Sequence, residues 1–313
     1  MKSPVILSAL LLLGWAPHPV PPLEDFPMKD AFIQVVDFGI SKRLMLTEAQ
    51  VDGKKGLFLF DTGASHLTLN QRHFPEKKII ENIGQTSNIL QSETATNATK
   101  VAQFSWGGIS RSSLLCPVTD LSDLEKHLGY PILGLIGYEI IRDYEVEVDY
   151  VNQLIILASG DKRSAFQDDP PTYSLDFSLC GHMPVIEASV GTNRSIYLGL
   201  DSGASVNVLD KSWKPHVEDV ALRKDKIRFT GAAAGVKEAD YMMFREITLD
   251  NQVKLNPVGL VLTDFNVPTG RCFRVDGLIG IDAFSCKRVV IDYRNFKLHV
   301  WLGEGTSFAD GCF

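Results

Sequence analysis

The sequence predicts an all-β protein built from two similar β-lobes, each closed enough to hide its strand edges, and three observations support this. Short runs of β-branched and aromatic residues are separated by Gly, Asn and Asp turns, which is typical of strands and hairpins. Helical periodicity is sparse along the chain. Two ordered pairs of matching blocks recur at a nearly constant spacing, which predicts a duplicated unit of roughly 140 residues.

In the first pair of matching blocks, each block is an apolar run that ends at an aspartate. The run Leu57–Phe60 leads into Asp61-Thr-Gly-Ala-Ser65, and the run Ile196–Leu200 leads into Asp201-Ser-Gly-Ala-Ser205. The two aspartates are 140 residues apart (201 − 61). The sequence therefore repeats an unusual arrangement, in which an acid ends a strand of the predicted core.

The second pair of matching blocks lies downstream of the first in each copy. Gly134-Leu-Ile-Gly137 is echoed by Gly277-Leu-Ile-Gly280 at a spacing of 143 residues (277 − 134). Each of these blocks is followed by an Asp-Tyr pair, which contains Asp149 or Asp292. These two acids are candidates for additional catalytic acids, but the end of a strand at a turn is the stronger interpretation of their positions.

The repeat divides the chain into a first lobe at residues 32–158, which contains Asp61, and a second lobe at 173–313, which contains Asp201. The intervening segment 159–172 is polar, carries Pro170-Pro171 and has no hydrophobic period, so we expect a linker. Two short helices are expected, one at Leu121–Leu128 and one after Gly137.

Length, composition and charge restrict the class of protein. The chain of 313 residues is long enough for two domains, and 45% hydrophobic and 22% charged residues are ordinary for a globular protein. The net charge is −7 and the pI is about 5.5. Because phosphate contacts need clustered Lys and Arg, and the sequence has no such cluster, we expect no nucleic-acid partner.

The N-terminus predicts export. Lys2 precedes an apolar stretch from Pro4 to Ala16, and small residues flank a cleavage point after Ala16, so residues 1–16 resemble a signal peptide. The alternative is a membrane anchor, but a spanning helix needs about 20 apolar residues. We expect a secreted or periplasmic protein with no stable membrane insertion. Residues 17–31 then form an N-terminal extension, short for a blocking propeptide.

The cysteines do not predict a metal or redox motif. Five are present, none within two to four residues of another, so we expect no metal site. One or two disulfides can form in an oxidising compartment, and the odd count leaves at least one thiol without an intramolecular partner. The pairing of the five stays open: Cys116, Cys180, Cys272, Cys286 and Cys312.

The paired Asp-[Thr/Ser]-Gly loops, with their downstream Gly-Leu-Ile-Gly blocks, resemble the active-site loops of aspartic proteases. The resemblance spans roughly residues 32–302 and follows the two-lobed pepsin plan. Ala64 and Ala204, which follow the glycines, make the loops more similar to retropepsin-like proteases of bacterial and retroviral type. A lone Asp-Thr-Gly is usually only a turn, but two copies in matched contexts favour a protease.

The resemblance implies two acid-protease β-barrel lobes with an active-site cleft between them and a role for each loop residue. Asp61 and Asp201 would share one proton and activate a water molecule, without a metal or cofactor. The hydroxyls of Thr62 and Ser202 would bond to the opposite loop. Gly63 and its counterpart Gly203 would let the backbone turn tightly and donate N–H groups to the carboxylates.

Ala64 and Ala204 predict an effect on pH dependence. Neither side chain can donate a hydrogen bond to the outer oxygen of its neighbouring carboxylate. Since fewer donors stabilise the ionised form less, we expect a milder pH optimum than that of gastric pepsin.

The expected substrate is a polypeptide bound extended in the cleft of a monomer. A covering flap is expected in the segment Ile83–Glu93 or in Phe229–Gly235, and the choice stays open. The alternative function is a non-catalytic peptide-binding protein that retains the cleft. The presence of both Asp61 and Asp201 disfavours it, and nothing in the sequence supports a purely structural role.

Overall fold

The predicted all-β class is confirmed in a computed structural model. The structure describes residues 33–87, 93–159, 169–191, 194–231, 235–265, 274–280, 283 and 288–301. The predicted signal peptide, the N-terminal extension and residues 160–168 of the expected linker lie outside these ranges. None of the described helices is long and apolar enough to cross a membrane.

Among the described residues, the first half of the chain contains ten strands and two of the three α-helices. The strands are β1 (Ile33–Ser41), β2 (Leu44–Val51), β3 (Lys54–Phe60), β4 (Thr68–Asn70), β5 (Ile79–Ser87), β6 (Glu93–Trp106), β7 (Ile109–Thr119), β8 (Gly134–Ile136), β9 (Glu145–Asp149) and β10 (Leu154–Ala158). The helices are α1 (Ser122–Leu128) and α2 (Tyr138–Ile141), which lie where short helices were predicted.

Six of these strands, β2, β3, β8, β4, β7 and β6, close into a barrel, because β2 pairs with both β3 and β6. We call β2 to β8 the first lobe. Its interior is filled by large aromatic side chains that are almost fully buried: Phe58, Phe60, Phe104 and Trp106. Phe60 and Trp106 stack with their ring centroids 5.9 Å apart. The strand that leads into the Asp61 loop is therefore anchored in the barrel core.

In the part of the second half that the structure describes there are thirteen strands and the helix α3 (Lys214–Val217). The strands are β11 (Tyr173–Asp176), β12 (Ser178–Cys180), β13 (Met183–Ser189), β14 (Ser195–Asp201), β15 (Asn207–Asp210), β16 (Ala221–Gly231), β17 (Gly235–Phe244), β18 (Ile247–Leu249), β19 (Val253–Leu255), β20 (Val258–Thr263), β21 (Gly277–Gly280), β22 (Arg288–Asp292) and β23 (Lys297–Trp301).

We call β12 to β21 the second lobe. Its strands form one sheet in the order β16-β17-β20-β15-β21-β14-β13-β18-β19, with β12 paired to β13. The pairings around the aspartate loop match those of the first lobe. β14 runs parallel to β21 as β3 does to β8, and β15 runs parallel to β20 as β4 does to β7.

Strands from both halves of the chain join in one sheet of order β11-β23-β22-β9-β10-β1, which continues into the first lobe through β1 and β2. Its central pair, β9 and β22, is antiparallel and places Glu147 opposite Val290. The valines and isoleucines along this pair, Val146, Val148, Val289 and Ile291, are fully buried. A continuous hydrogen-bonded ladder therefore joins the two halves and restricts their relative movement.

Candidate active site

Asp61 and Asp201 lie where a buried strand leads into a loop: Asp61 follows β3, and Asp201 is the last residue of β14. In the first lobe β8 lies between β3 and β4, so the chain must pass over the end of β8. The backbone of the β8 segment holds this crossing loop in place. Asp61 N donates to Ile136 O at 3.0 Å, and Tyr138 N donates to Ala64 O at 2.8 Å.

The Gly-Leu-Ile-Gly blocks lie directly behind the two crossing loops. A Cβ added to Gly137 would lie 2.5 Å from the carbonyl oxygen of Ala64, and one added to Gly277 would lie 2.1 Å from that of Val208. In the second lobe, Gly280 N also donates to Asn207 Oδ1 at 2.9 Å. Glycine is needed at these positions because the backbone of the block touches the backbone of the loop or of the strand that follows it.

The hydroxyl groups of the two loops form hydrogen bonds to the opposite loop. Thr62 Oγ1 accepts from Ser202 N at 2.9 Å and donates to Leu200 O at 3.2 Å. Ser202 Oγ accepts from Thr62 N at 2.9 Å and donates to Phe60 O at 2.9 Å. All four bonds are buried and run between the lobes, so they fix the position of one aspartate relative to the other.

Gly63 and Gly203 bring backbone donors to the carboxylates. Gly63 N donates to Asp61 Oδ1 at 2.9 Å, and Gly203 N donates to Asp201 Oδ1 at 2.8 Å. Neither glycine has a positive φ, so a tight left-handed turn is not the reason for glycine here. A Cβ on either one would lie 2.6 Å from the carboxyl carbon of the opposite aspartate. Glycine leaves the room that the opposite carboxyl group occupies.

The two carboxyl groups are fully buried and lie within hydrogen-bonding distance of each other. Burial raises the pKa of both, and the neighbouring charge of Asp201 raises the pKa of Asp61 further. Since two adjacent carboxylates cannot both ionise cheaply, the pair holds one proton over a wide pH range. Each Oδ2 is buried and has no hydrogen-bond donor within the described part of the chain.

Asp149 and Asp292 have a different role, as the turn interpretation predicts. Asp149 Oδ1 accepts from Asn152 N at 3.0 Å, and its Oδ2 accepts from Asn152 Nδ2 at 2.7 Å. Asp292 makes the corresponding bonds to Asn295. Both carboxylates therefore hold the turns that follow β9 and β22.

The structure adds one residue that sequence analysis missed. His182, in the turn between β12 and β13, places Nε2 2.8 Å from the carbonyl oxygen of Gly63 in the opposite lobe. The side chain is buried, with 7% of its surface exposed. A single histidine in a predicted turn carries no sequence signal for such a contact, because only the packing of the lobes creates it.

The cysteines divide into two states among the described residues. Cys116 in β7 is a buried free thiol, and Cys180 at the end of β12 is disulfide-bonded. Cys272, Cys286 and Cys312 lie outside the described residues. The expected unpaired thiol is therefore present at Cys116.

Comparison with known proteins agrees with the geometry of the loops. A family model described as aspartyl protease matches residues 47–140, a segment that contains the Asp61 loop and the first Gly-Leu-Ile-Gly block. A search of curated proteins finds no match to the chain. The matched segment is therefore similar to aspartyl proteases, which agrees with the resemblance of its loop to the retropepsin-like type.

Proposed function

We propose that the protein is an exported endopeptidase that hydrolyses peptide bonds with a water molecule activated between Asp61 and Asp201. One observation carries the proposal. Two buried carboxyl groups, one from each lobe, lie within hydrogen-bonding distance, and in each of them backbone N–H groups hold Oδ1 while Oδ2 has no donor in the described chain.

The geometry suits general acid–base hydrolysis. The ionised aspartate accepts a proton from water as the water oxygen bonds to the scissile carbonyl carbon, and the protonated aspartate donates to the carbonyl oxygen. The resulting tetrahedral intermediate collapses as a proton passes to the leaving amine, and the pair returns to its singly protonated state. The acid and base roles belong to the pair and not to either residue.

The sheets offer strands with which an extended substrate can pair. Among the described strands, β5 and β16 end their sheets, and each belongs to a long hairpin, β5–β6 or β16–β17. An exposed strand edge binds an extended peptide through backbone hydrogen bonds. Both hairpins contain a predicted flap segment, but residues 88–92 and 232–234 at their tips lie outside the described residues.

Both halves of the site come from one chain, which supports a pepsin-like monomer that arose by duplication. The matching strand pairings around the two loops agree with the internal repeat. Because Asp61 and Asp201 are supplied in cis and locked together by Thr62 and Ser202, a second copy is not needed to complete the pair.

The disulfide at Cys180 supports export, since disulfides persist in oxidising compartments such as the periplasm and the cell exterior. Sequencing the N-terminus of the exported protein tests this. We expect it to begin at Pro17. Retention of Met1 on protein recovered from the cytoplasm contradicts export.

The activity is tested with the variant Asp61→Asn and the matched control Asp149→Asn, which removes a carboxylate from a turn outside the pair. We expect Asp61→Asn to lower cleavage of a peptide library by roughly three orders of magnitude or more, and Asp149→Asn to retain activity. The optimum should lie above about pH 3, because the pKa of both aspartates is raised.

Equal cleavage by the wild type and Asp61→Asn excludes this pair as the catalytic group. A wild-type protein that binds peptides and cleaves none supports the non-catalytic alternative.

A further inference from the structure

His182 forms a bond between the lobes at the edge of the aspartate pair. It belongs to the second lobe, where Gly181, at φ +66°, allows a tight turn before β13. Its ring reaches the first lobe, and Nε2 lies 2.8 Å from Gly63 O. A carbonyl oxygen only accepts, so Nε2 must carry the hydrogen and donate it.

The acceptor of this bond is linked covalently to the donor that holds Asp61. Gly63 C=O and Ala64 N–H belong to the same peptide group, and Ala64 N donates to Asp61 Oδ1 at 3.1 Å. A hydrogen bond to the oxygen of a peptide polarises the group and strengthens its N–H as a donor. His182, the Gly63–Ala64 peptide and Asp61 therefore form one hydrogen-bonded chain.

We propose that His182 is a positioning residue, which acts through the Gly63–Ala64 peptide to orient Asp61 and to favour its ionised form. This role rests on the proposed function of the aspartate pair. It also couples the two lobes, because a shift of the β12–β13 turn changes the strength of a donor to the carboxylate of the opposite lobe.

The surroundings of His182 keep its ring neutral at weakly acidic pH. Burial and the nearby His66 lower its pKa to about 4, and the hydrogen bond to Gly63 opposes this only in part. The Tyr138 ring packs against it at a centroid distance of 6.2 Å. A neutral ring with the hydrogen on Nε2 donates to Gly63 without placing a full positive charge beside the aspartates.

Two variants separate the hydrogen bond from the packing. His182→Gln keeps a side-chain N–H at a similar reach, whereas His182→Phe fills the space without a donor. We expect His182→Phe to lower kcat by about three- to tenfold with little change in KM, the effect of one lost hydrogen bond. The acidic limb of its pH–rate profile should shift to higher pH, and His182→Gln should restore both properties.

A second measurement does not depend on turnover. The carboxyl carbons of the aspartates, labelled with ¹³C and followed by NMR, report the titration of the pair directly. We expect the titration of Asp61 and Asp201 to move to higher pH in His182→Phe and to stay in place in His182→Gln.

The outcomes distinguish this proposal from the proposed function. If His182→Phe melts at lower temperature but keeps the wild-type kcat per folded molecule and the wild-type titration, the histidine only fills space and the proposal is wrong. If the wild type cleaves no peptide, the proposed function fails, while the NMR titration still decides whether His182 tunes the pair.

Discussion

Replacing Thr62 by valine should loosen the junction of the two lobes. Valine matches the shape of threonine but lacks the hydroxyl, which accepts from Ser202 N and donates to Leu200 O. Thr62, Ser202 and Leu200 are almost completely buried, so water cannot replace the lost partner. The substitution leaves one buried N–H and one buried C=O without a hydrogen bond.

The size of the effect follows from those two groups. Each buried polar group left unsatisfied costs about 1–3 kcal/mol. We therefore expect Thr62→Val to lower the free energy of unfolding by about 2–6 kcal/mol, a large part of the 5–15 kcal/mol typical of a folded protein. Activity should fall as well, because the same bonds set the distance between the aspartates.

Urea unfolding measures this effect, with Thr62→Ser as the matched control. Serine occupies the corresponding position in the second loop, so it supplies the same hydroxyl, and the control should stay close to the wild type. In the double variant Thr62→Val/Ser202→Ala, the loss of the free energy of unfolding should be less than the sum of the two single losses, because both residues belong to one hydrogen-bond network. Equal unfolding midpoints for Thr62→Val and Thr62→Ser, or full additivity with Ser202→Ala, would refute the argument.

Three further predictions concern the same site. Because burial raises the pKa of Asp201, the folded state binds its proton more tightly than the unfolded state does, and stability is lost as pH rises through that pKa. Asp201→Asn should therefore melt at a higher temperature than the wild type at pH 7, and the gap in melting temperature should be smaller at pH 4. A gap in melting temperature that does not change with pH contradicts this prediction. Gly63→Ala places a Cβ 2.6 Å from the Asp201 carboxyl carbon, so it should lower peptide cleavage by about a hundredfold or more. The matched control is Gly39→Ala, whose Cβ meets nothing within 4 Å and should leave cleavage unchanged. Since the pKa of His182 is about 4 in the folded state and 6.5 when unperturbed, the unfolded state binds the extra proton between these values, and stability falls as pH is lowered from 6.5 to about 4. In His182→Gln, the loss of the free energy of unfolding over this pH range, measured by urea unfolding, should be smaller than in the wild type by about 3 kcal/mol. Identical pH dependence in the variant and the wild type would exclude His182 as the cause.

Local patterns were sufficient to predict the strands that carry the aspartates. The runs Leu57–Phe60 and Ile196–Leu200 are apolar and rich in residues that favour strands, and each ends at a carboxylate that a core strand cannot bury alone. The helices α1 and α2 were also predicted. The helix α3 was missed, because Lys214-Pro-His-Val217 is a single turn with too few residues to show a period.

Long-range pairing was harder to predict. The sheet that joins β9 to β22 and β10 to β1 brings together strands far apart in sequence, and a strand pattern specifies which face is buried but not which strand is its neighbour. For Gly63, the sequence predicts the need for glycine correctly but gives a different physical reason. A tight turn was the expected reason, whereas in the structure the missing Cβ makes room for Asp201, a residue 138 positions away.

The amino-acid sequence alone determined the all-β class, the two aspartate loops and the glycine blocks behind them, because each depends on residue types and spacings that recur along the chain. The tertiary structure alone decided how the two loops meet: the four bonds of Thr62 and Ser202, the contact of the carboxyl groups and the bond from His182 to Gly63. These contacts join groups more than a hundred residues apart. Their geometry depends on how two whole lobes pack, which no local stretch of sequence encodes.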